Sequence, residues 1–425
     1  MKILAIRSFA LLLPLLGTAV AWLWLQPSRR HAGAVYLATL WTLPSLVAVH
    51  VLARSFGWWT FHFEGADFFG MPVDLLFGWA LLWGSLPALL LIRVPLPLLV
   101  ALMIALDLVL MPLCAPVVQL GSYWLIGEIV AAAIVLLPAQ LLARWTARDV
   151  RLGGRVMLQL ALFTSLVLMG IPAVILALTD GDWNIALPAI WRQLLLQLAI
   201  IAAIVGLSAV QEFAERGSGT PFPYDPPKTQ VRSGIYAYVR NPMQLSASAL
   251  LALLAMATMN GWLAIGALIS VAYGAGFAAW DEGSDLRERF DAAAERYAAT
   301  VRNWIPSWRP RIEEPSTIYL DVGCDRGCDP CSEIAAWLRS RKPRQLLFVP
   351  AEEHPTTDLD RVRYEGADGH IEEGIAAIAR ALEHIHLAWA IVGFAMRLPI
   401  ARQMLQTIVD AAGGGKRTVL RTARR

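Results

Sequence analysis

Long apolar runs broken by short charged stretches fill the first two thirds of the chain. A membrane-spanning helix needs about 20 apolar residues, and nine runs approach that length, at roughly 4–25, 33–53, 71–92, 94–112, 121–143, 156–178, 185–209, 243–259 and 261–280. Only Asn260-Gly261 separates the last two, which predicts a helical hairpin. The first run follows Lys2 and Arg7 and contains Ala19-Val20-Ala21, as a signal peptide would. It continues through Trp22-Leu23-Trp24-Leu25 and stops at Arg29-Arg30, which fits an uncleaved span. After Trp280 the pattern changes. Leu286, Phe290, Ala293, Ala294, Tyr297 and Val301 recur at helical spacing, predicting an amphipathic helix over 281–302 that ends at Trp304-Ile305-Pro306. A stretch rich in proline and charge, Ser307 to Ser316, precedes about 110 residues of soluble composition in which strand-like and helix-like segments alternate, an α/β pattern. Within it, the apolar run Ile385 to Met396 is too short to span and is flanked by His384, His386 and Arg397, so it reads as a buried or surface-lying helix.

Composition agrees with this division. Of 425 residues, 57% are hydrophobic and 16% charged, seventeen are tryptophan, and the mean hydropathy is +0.53, far from a soluble average. The expected fold is a polytopic α-helical membrane protein of about nine spans carrying a C-terminal soluble α/β domain, divided as 1–184, 185–310 and 311–425. Counted over alternate loops, one side receives Arg29, Arg30, Arg93, Arg144, Arg148, Arg151, Arg155, Arg216, Lys228, Arg232 and Arg240. The other has little beyond Lys2, Arg7 and Arg54. The positive-inside rule then makes everything after residue 281 cytoplasmic, in a multi-pass protein of bacterial inner-membrane type. The net charge of +3 by itself points to no partner class, and no nucleic-acid partner is expected. The basic end from Gly413 to Arg425 could touch anionic lipid.

Between the seventh and eighth runs lies a loop whose Gly217, Gly219, Pro221, Pro223, Pro226 and Pro227 forbid regular helix and expose backbone polar groups. Such a segment at a membrane surface must line something polar. It leads to Tyr236, Tyr238 and then Arg240-Asn241-Pro242, where Asn241 suits a helix N-cap and Pro242 the first helical position. A helix N-terminus beside a guanidinium favours a carboxylate or phosphate. The alternative is that Arg240 only anchors the helix by snorkelling to headgroups.

The run Gly217-x-Gly219-x-Pro221-x-Pro223, then Gly234-x-Tyr236-x-Tyr238-x-Arg240-Asn241-Pro242-Met243, then Glu282, Leu286, Phe290, Tyr297, Val301 and Ile305-Pro306, resembles the isoprenylcysteine carboxyl methyltransferase and phospholipid methyltransferase superfamily over about residues 185–306. Gln244 stands where that family usually has tyrosine, and Asp281-Glu282-Gly283 keeps one member of its acidic pair in register. The resemblance implies an integral membrane enzyme that uses S-adenosylmethionine without a metal to methylate a lipid or lipid-linked carboxylate, thiol or amine. It implies that Arg240 and the helix start hold the cofactor's methionyl carboxylate and that Gly217, Gly219 and Pro221 offer backbone groups to the adenosine. Tyr236 and Tyr238 would pack nearby, Asn241 would shape the helix start, and Glu282 would bind the cofactor's amino or ribose groups or act as base. Within the apolar runs, Asp107, Glu128, Arg192 and His50 are functional candidates or contacts inside the bundle, because charge in lipid is costly.

Three of the four cysteines lie in the tail. Cys328-Asp329-Pro330-Cys331 falls between a strand and a helix, where a helix N-terminus would lower a thiol pKa and make Cys328 a nucleophile resolved by Cys331. Asp325-x-x-Cys328-x-x-Cys331, Asp368-Gly369 and Arg397-Leu398-Pro399 resemble the thioredoxin-like thiol-disulfide oxidoreductase family named for its DCC motif. Cys324, Cys328 and Cys331 also have the spacing of radical S-adenosylmethionine enzymes, although the tail is too short for their barrel. With His354 they could hold a metal, or they could be unused. The expected protein is thus a membrane methyltransferase with a fused thiol-disulfide domain. The alternative is a membrane-anchored redox protein whose methyltransferase-like region is not catalytic.

Overall fold

The computed structural model describes residues 2–221, 225, 227–275, 295–320, 330–416 and 418–419. The chain divides into two units, residues 1–182 with 219–226, and residues 183–218 with 227–425. Seven described helices are long and apolar enough to cross a bilayer, and each coincides with one of the first seven apolar runs. The hairpin runs give shorter helices, Pro242–Thr258 and Gly261–Tyr273.

The first unit holds six of the seven: Lys2–Leu25, Arg29–Phe56, Val73–Leu90, Leu96–Leu113, Trp124–Arg148 and Leu152–Leu178. Ser28 starts the second by accepting the His31 amide at 3.3 Å, and Gly57, with φ at 65°, ends it in the left-handed region that glycine tolerates. Gly78 lets the first and third helices touch, since a Cβ there would lie 2.2 Å from the carbonyl oxygen of Ala10. The core is rich in tryptophan, with Trp58, Trp59, Trp79 and Trp83 packed around Leu75, Val135 and Leu136. Two short antiparallel pairs form in the loops: β1 (Trp59–Phe61) with β4 (Val118–Leu120), and β2 (Asp67–Phe68) with β3 (Met71–Pro72). Arg144 donates to the carbonyls of Val94 at 2.6 Å and Leu91 at 3.1 Å. Segment 219–226 belongs to this unit through Asp225, which accepts from Arg155 at 2.5 Å, Arg30 at 2.9 Å and Thr220 at 3.1 Å.

The second unit joins helix Ala189–Gly217 and the hairpin to the C-terminal sheet. Asn260 caps the second hairpin helix, accepting the amides of Trp262 and Leu263 at 3.0 Å each. The sheet has the order β6-β5-β7-β8, with β5 (Ser316–Leu320) parallel to β6 (Leu346–Pro350) and antiparallel to β7 (Arg363–Glu365), and β7 antiparallel to β8 (Ile371–Glu373). Parallel neighbours require a crossover, and helix Pro330–Ser340 supplies it between β5 and β6. Ile318, Leu320, Ala335, Leu338, Ala377 and Leu382 form the domain core. The apolar run at 385–396 becomes the eleven-residue helix Leu387–Arg397 and packs closely, Gly393 sitting where a Cβ would meet the Ala379 carbonyl oxygen at 2.4 Å. The proline- and charge-rich stretch after Pro306 is strapped down rather than loose, because Ser307 and Arg311 donate their amides to the carbonyls of Tyr238 at 2.9 Å and Ala237 at 2.8 Å.

His384 gives this domain a pH dependence. Its Nδ1 faces the Arg344 carbonyl at 2.7 Å and its Nε2 faces the Tyr364 hydroxyl at 2.9 Å. The ring is therefore a neutral tautomer that donates from Nδ1 and accepts at Nε2. Burial lowers its pKa from 6.5 to about 4. The unfolded chain binds a proton that the folded domain refuses, so stability rises with pH across that window and is lost as pH falls through it. Acidification from pH 6.5 to 4 should cost roughly 3 kcal/mol at this site. The apparent Tm in detergent should fall accordingly, and His384→Gln should flatten the profile.

Candidate active site at the hairpin start

Helix Pro242–Thr258 begins where the sequence places it, with Asn241 at the N-cap and Pro242 in the first turn. The Asn241 side chain does not cap the helix. Its amide donates instead to Asn303 Oδ1 at 2.7 Å, and its backbone N–H to the Asn303 carbonyl at 3.3 Å. The adjacent Arg240 N–H donates to the Arg302 carbonyl at 3.0 Å. These three bonds fix Arg240 against the chain around 302–304 and leave the first turn without a side-chain cap. The Arg240 side chain is half-buried, and among the described residues its Nε has no hydrogen-bond partner; neither has the indole N–H of Trp304. Two buried donors near one helix start make the place hospitable to an acceptor, because each unpaired group otherwise carries its desolvation cost.

Tyr236 and Tyr238 are both buried. The Tyr238 hydroxyl donates to the Glu383 carbonyl at 2.7 Å, burial raising its pKa, and the Tyr236 ring packs with Phe213 at 6.2 Å between centroids. The Tyr236 carbonyl accepts the Tyr297 hydroxyl at 2.8 Å, and the charges of Arg240 and Arg232 both act on that phenol. The two tyrosines thus organise the backbone leading to Arg240.

Beneath this turn lies a buried ionic cluster that the sequence did not reveal. Glu212, in the last turns of helix Ala189–Gly217, is fully buried and accepts from Arg380 at 2.7 and 2.8 Å, from Arg397 at 3.2 Å and from Ser233. Glu383 pairs with Arg397 at 2.9 Å and with Arg380 at 3.2 Å, and Glu215 with Arg397 at 2.9 Å. Burial opposes the Arg380 charge, but Glu212 and Glu383 hold its pKa well above the usual value. Gly234 closes over the cluster with φ at 57°, and a Cβ there would sit 2.9 Å from the Glu212 carboxyl carbon. Gly234→Ala should therefore lose about 1–2 kcal/mol for the left-handed backbone alone, plus the cost of displacing Glu212, read as a lowered apparent Tm.

A cavity of about 460 Å³ opens beside the cluster, lined among others by Arg216, Lys228, Arg232, Tyr297, Arg311 and Asp368. Arg216 pairs with Asp368 through Nη2, while its Nε and Nη1 have no hydrogen-bond partner among the described residues. Glu313, Glu314 and Glu383 balance the lining charge, so a neutral or zwitterionic ligand suits it better than a bare anion. Arg240 is not among the lining residues.

Of the expected cofactor residues, the second unit brings Gly217, Tyr236, Tyr238, Arg240 and Asn241 together in one folded body. Gly217 is buried, and its carbonyl accepts the Lys228 amide at 2.7 Å. Gly219 and Pro221 fold with the first unit, in the segment held by Asp225. Glu282, with Asp281, Leu286 and Phe290, lies outside the described residues, as do Pro223, Cys324, Asp325 and Cys328. Cys331 lies in the first turn of helix Pro330–Ser340. His354 is engaged by the Thr357 amide at 3.1 Å and Glu365 at 3.1 Å, and among the described residues no group of His, Cys, Asp and Glu could hold a metal ion. Comparison with known proteins finds no family model, no curated protein and no solved structure that matches the chain.

Proposed function

We propose that the protein is a membrane-embedded, S-adenosylmethionine-dependent methyltransferase acting on a lipid or lipid-linked acceptor, with its cofactor held at the start of the hairpin. The observation that carries this reading is Arg240, fixed by backbone bonds beside an uncapped helix start, with a buried Nε that lacks a hydrogen-bond partner among the described residues. The guanidinium and the first-turn amides would grip the methionyl carboxylate. Methyl transfer joins the acceptor to the methyl carbon as the carbon–sulfur bond breaks, and the bonding electrons return to sulfur. When the acceptor is anionic, a positive sulfonium and a negative nucleophile both become neutral, so a site that excludes water and aligns the reactants accelerates the step without a metal. Glu282 remains the proposed base or cofactor ligand. The loop charges support an orientation with the C-terminal domain in the cytoplasm of a bacterial-type cell.

The test is transfer of a tritium-labelled methyl group from S-adenosylmethionine to organic-extractable material by purified protein mixed with membrane lipids. Label should enter the organic phase and be lost with Arg240→Ala; no incorporation into any lipid fraction would overturn the activity.

A second reading is favoured by the sheet. The order β6-β5-β7-β8, with one parallel and two antiparallel pairings and a helix after β5, is the one expected of a thioredoxin-like domain. Cys331, in the first turn of that helix, would be the resolving thiol of such a site. The dithiol of Cys328 and Cys331 would reduce a substrate disulfide to two thiols, becoming a disulfide itself. Cys328→Ser should abolish disulfide reduction and leave methyl transfer intact if the two activities are separate.

A further inference from the structure

The core of the first unit contains acidic chemistry that the methyltransferase reading does not use. Asp107, on helix Leu96–Leu113, and Glu128, on helix Trp124–Arg148, are 2% and 3% exposed and line one small cavity. The Trp79 indole donates to Asp107 Oδ1 at 3.0 Å, while Glu128 Oε1 has no partner among the described residues. Two carboxyl groups kept in one buried cavity cannot both ionise without strong repulsion, which favours at least one bound proton between them. From helix Arg29–Phe56 comes an independent sign of a site. His50 is 2% exposed, neither ring nitrogen has a hydrogen-bond partner among the described residues, and a Cβ on Gly70 would lie 3.7 Å from its Nε2. It lines the same cavity of about 40 Å³ as the two acids, space for about one water molecule. Ionisable groups kept in such a place are costly unless they are used.

We propose that Asp107, Glu128 and His50 form an exchangeable proton-binding site within the helical bundle. The acid pair alternates between one and two protons, and His50 passes the proton across the cavity. On uptake a proton binds one ring nitrogen while the proton on the other ring nitrogen moves, through one water in the shared cavity, to a carboxylate oxygen. An O–H bond forms as an N–H bond breaks, the imidazole is left neutral as its other tautomer, and the net charge of the pair goes from −1 to zero. Release reverses these steps and needs no co-reactant. The groups that bear on the site are Arg54, whose charge acts on His50, and Cys114, which lies in the field of Asp107. Helix Val73–Leu90 contributes Trp79, while its Asp74 is paired with Arg7 at 2.6 Å. β1 and β4 contribute Trp59, Phe61 and Val118, none of which titrates.

Infrared difference spectroscopy on the full-length protein in lipid vesicles, stepped from mildly acidic to mildly alkaline pH, tests this. The expected result is a protonated-carboxyl C=O band that grows on acidification and shifts in D₂O. It should be lost in Asp107→Asn and in Glu128→Gln, and its exchange should slow in His50→Phe. The wild-type titration stands by itself if a variant fails to fold. Absence of the band at every pH would overturn the proposal. So would a band indifferent to pH and D₂O, which marks a fixed structural proton.

Discussion

Glu212→Gln is expected to lower the stability of the second unit by about 3–5 kcal/mol, the usual cost of removing one member of a buried, hydrogen-bonded ion pair. Glu212 receives Arg380, Arg397 and Ser233 together, so neutralising it leaves two buried guanidiniums to share Glu383 and the more exposed Glu215. The cost is mostly that of the orphaned charges, not the worth of the intact cluster. A combined Glu212→Leu, Arg380→Met variant should therefore be more stable than Glu212→Gln alone, and a double-mutant cycle on apparent Tm would expose the coupling. If Glu212→Gln unfolds with the wild-type midpoint, the cluster is not holding the C-terminal domain to helix Ala189–Gly217.

Arg240→Ala should weaken binding of S-adenosylhomocysteine by about 30-fold or more, equivalent to about 2 kcal/mol for the lost partner of a desolvated charge. The fold should survive, because the hydrogen bonds that position this stretch are made by its backbone and by Asn241, not by the guanidinium. Arg240→Lys keeps the charge but loses the fork, and should fall between the two. Thermal stabilisation by the ligand should shrink in the same order, since a ligand stabilises the folded state according to its saturation.

Seven of the nine expected spans were legible as helices of bilayer length, because a long apolar run has few alternative folds, while the two hairpin helices are shorter among the described residues. The hairpin turn at Asn260-Gly261 and the helix start at Asn241-Pro242 were legible for a local reason, the geometry of caps. Of the sheet, β5 and β6 followed from their apolar segments, whereas β7 and the three-residue β8 (Ile371–Glu373), where the pattern reads as helix, are held by pairing to strands far apart in the chain. What stayed hidden was built from distant partners. Glu212 and Arg380 are 168 residues apart, and in the sequence Glu212 is one more charge in the last turns of a helix. The i,i+3 pair Arg380 and Glu383, set in an otherwise apolar helix, was the one local hint of buried charge. Asn241 shows the opposite limit, since its position was right but its side chain serves Asn303, a partner 62 residues away. Likewise the stretch from Ser307, known from the sequence only as rich in proline and charge, has its amides claimed by Tyr238 and Ala237.

The most direct test is calorimetric titration of S-adenosylhomocysteine into the purified full-length protein, with Arg240→Ala and Arg232→Ala alongside. Saturable one-to-one binding that Arg240→Ala weakens by about 30-fold or more and Arg232→Ala retains is the expected result. No heat of binding to the wild type, or binding that ignores Arg240 and disappears with Arg232, would contradict a cofactor held at the hairpin start.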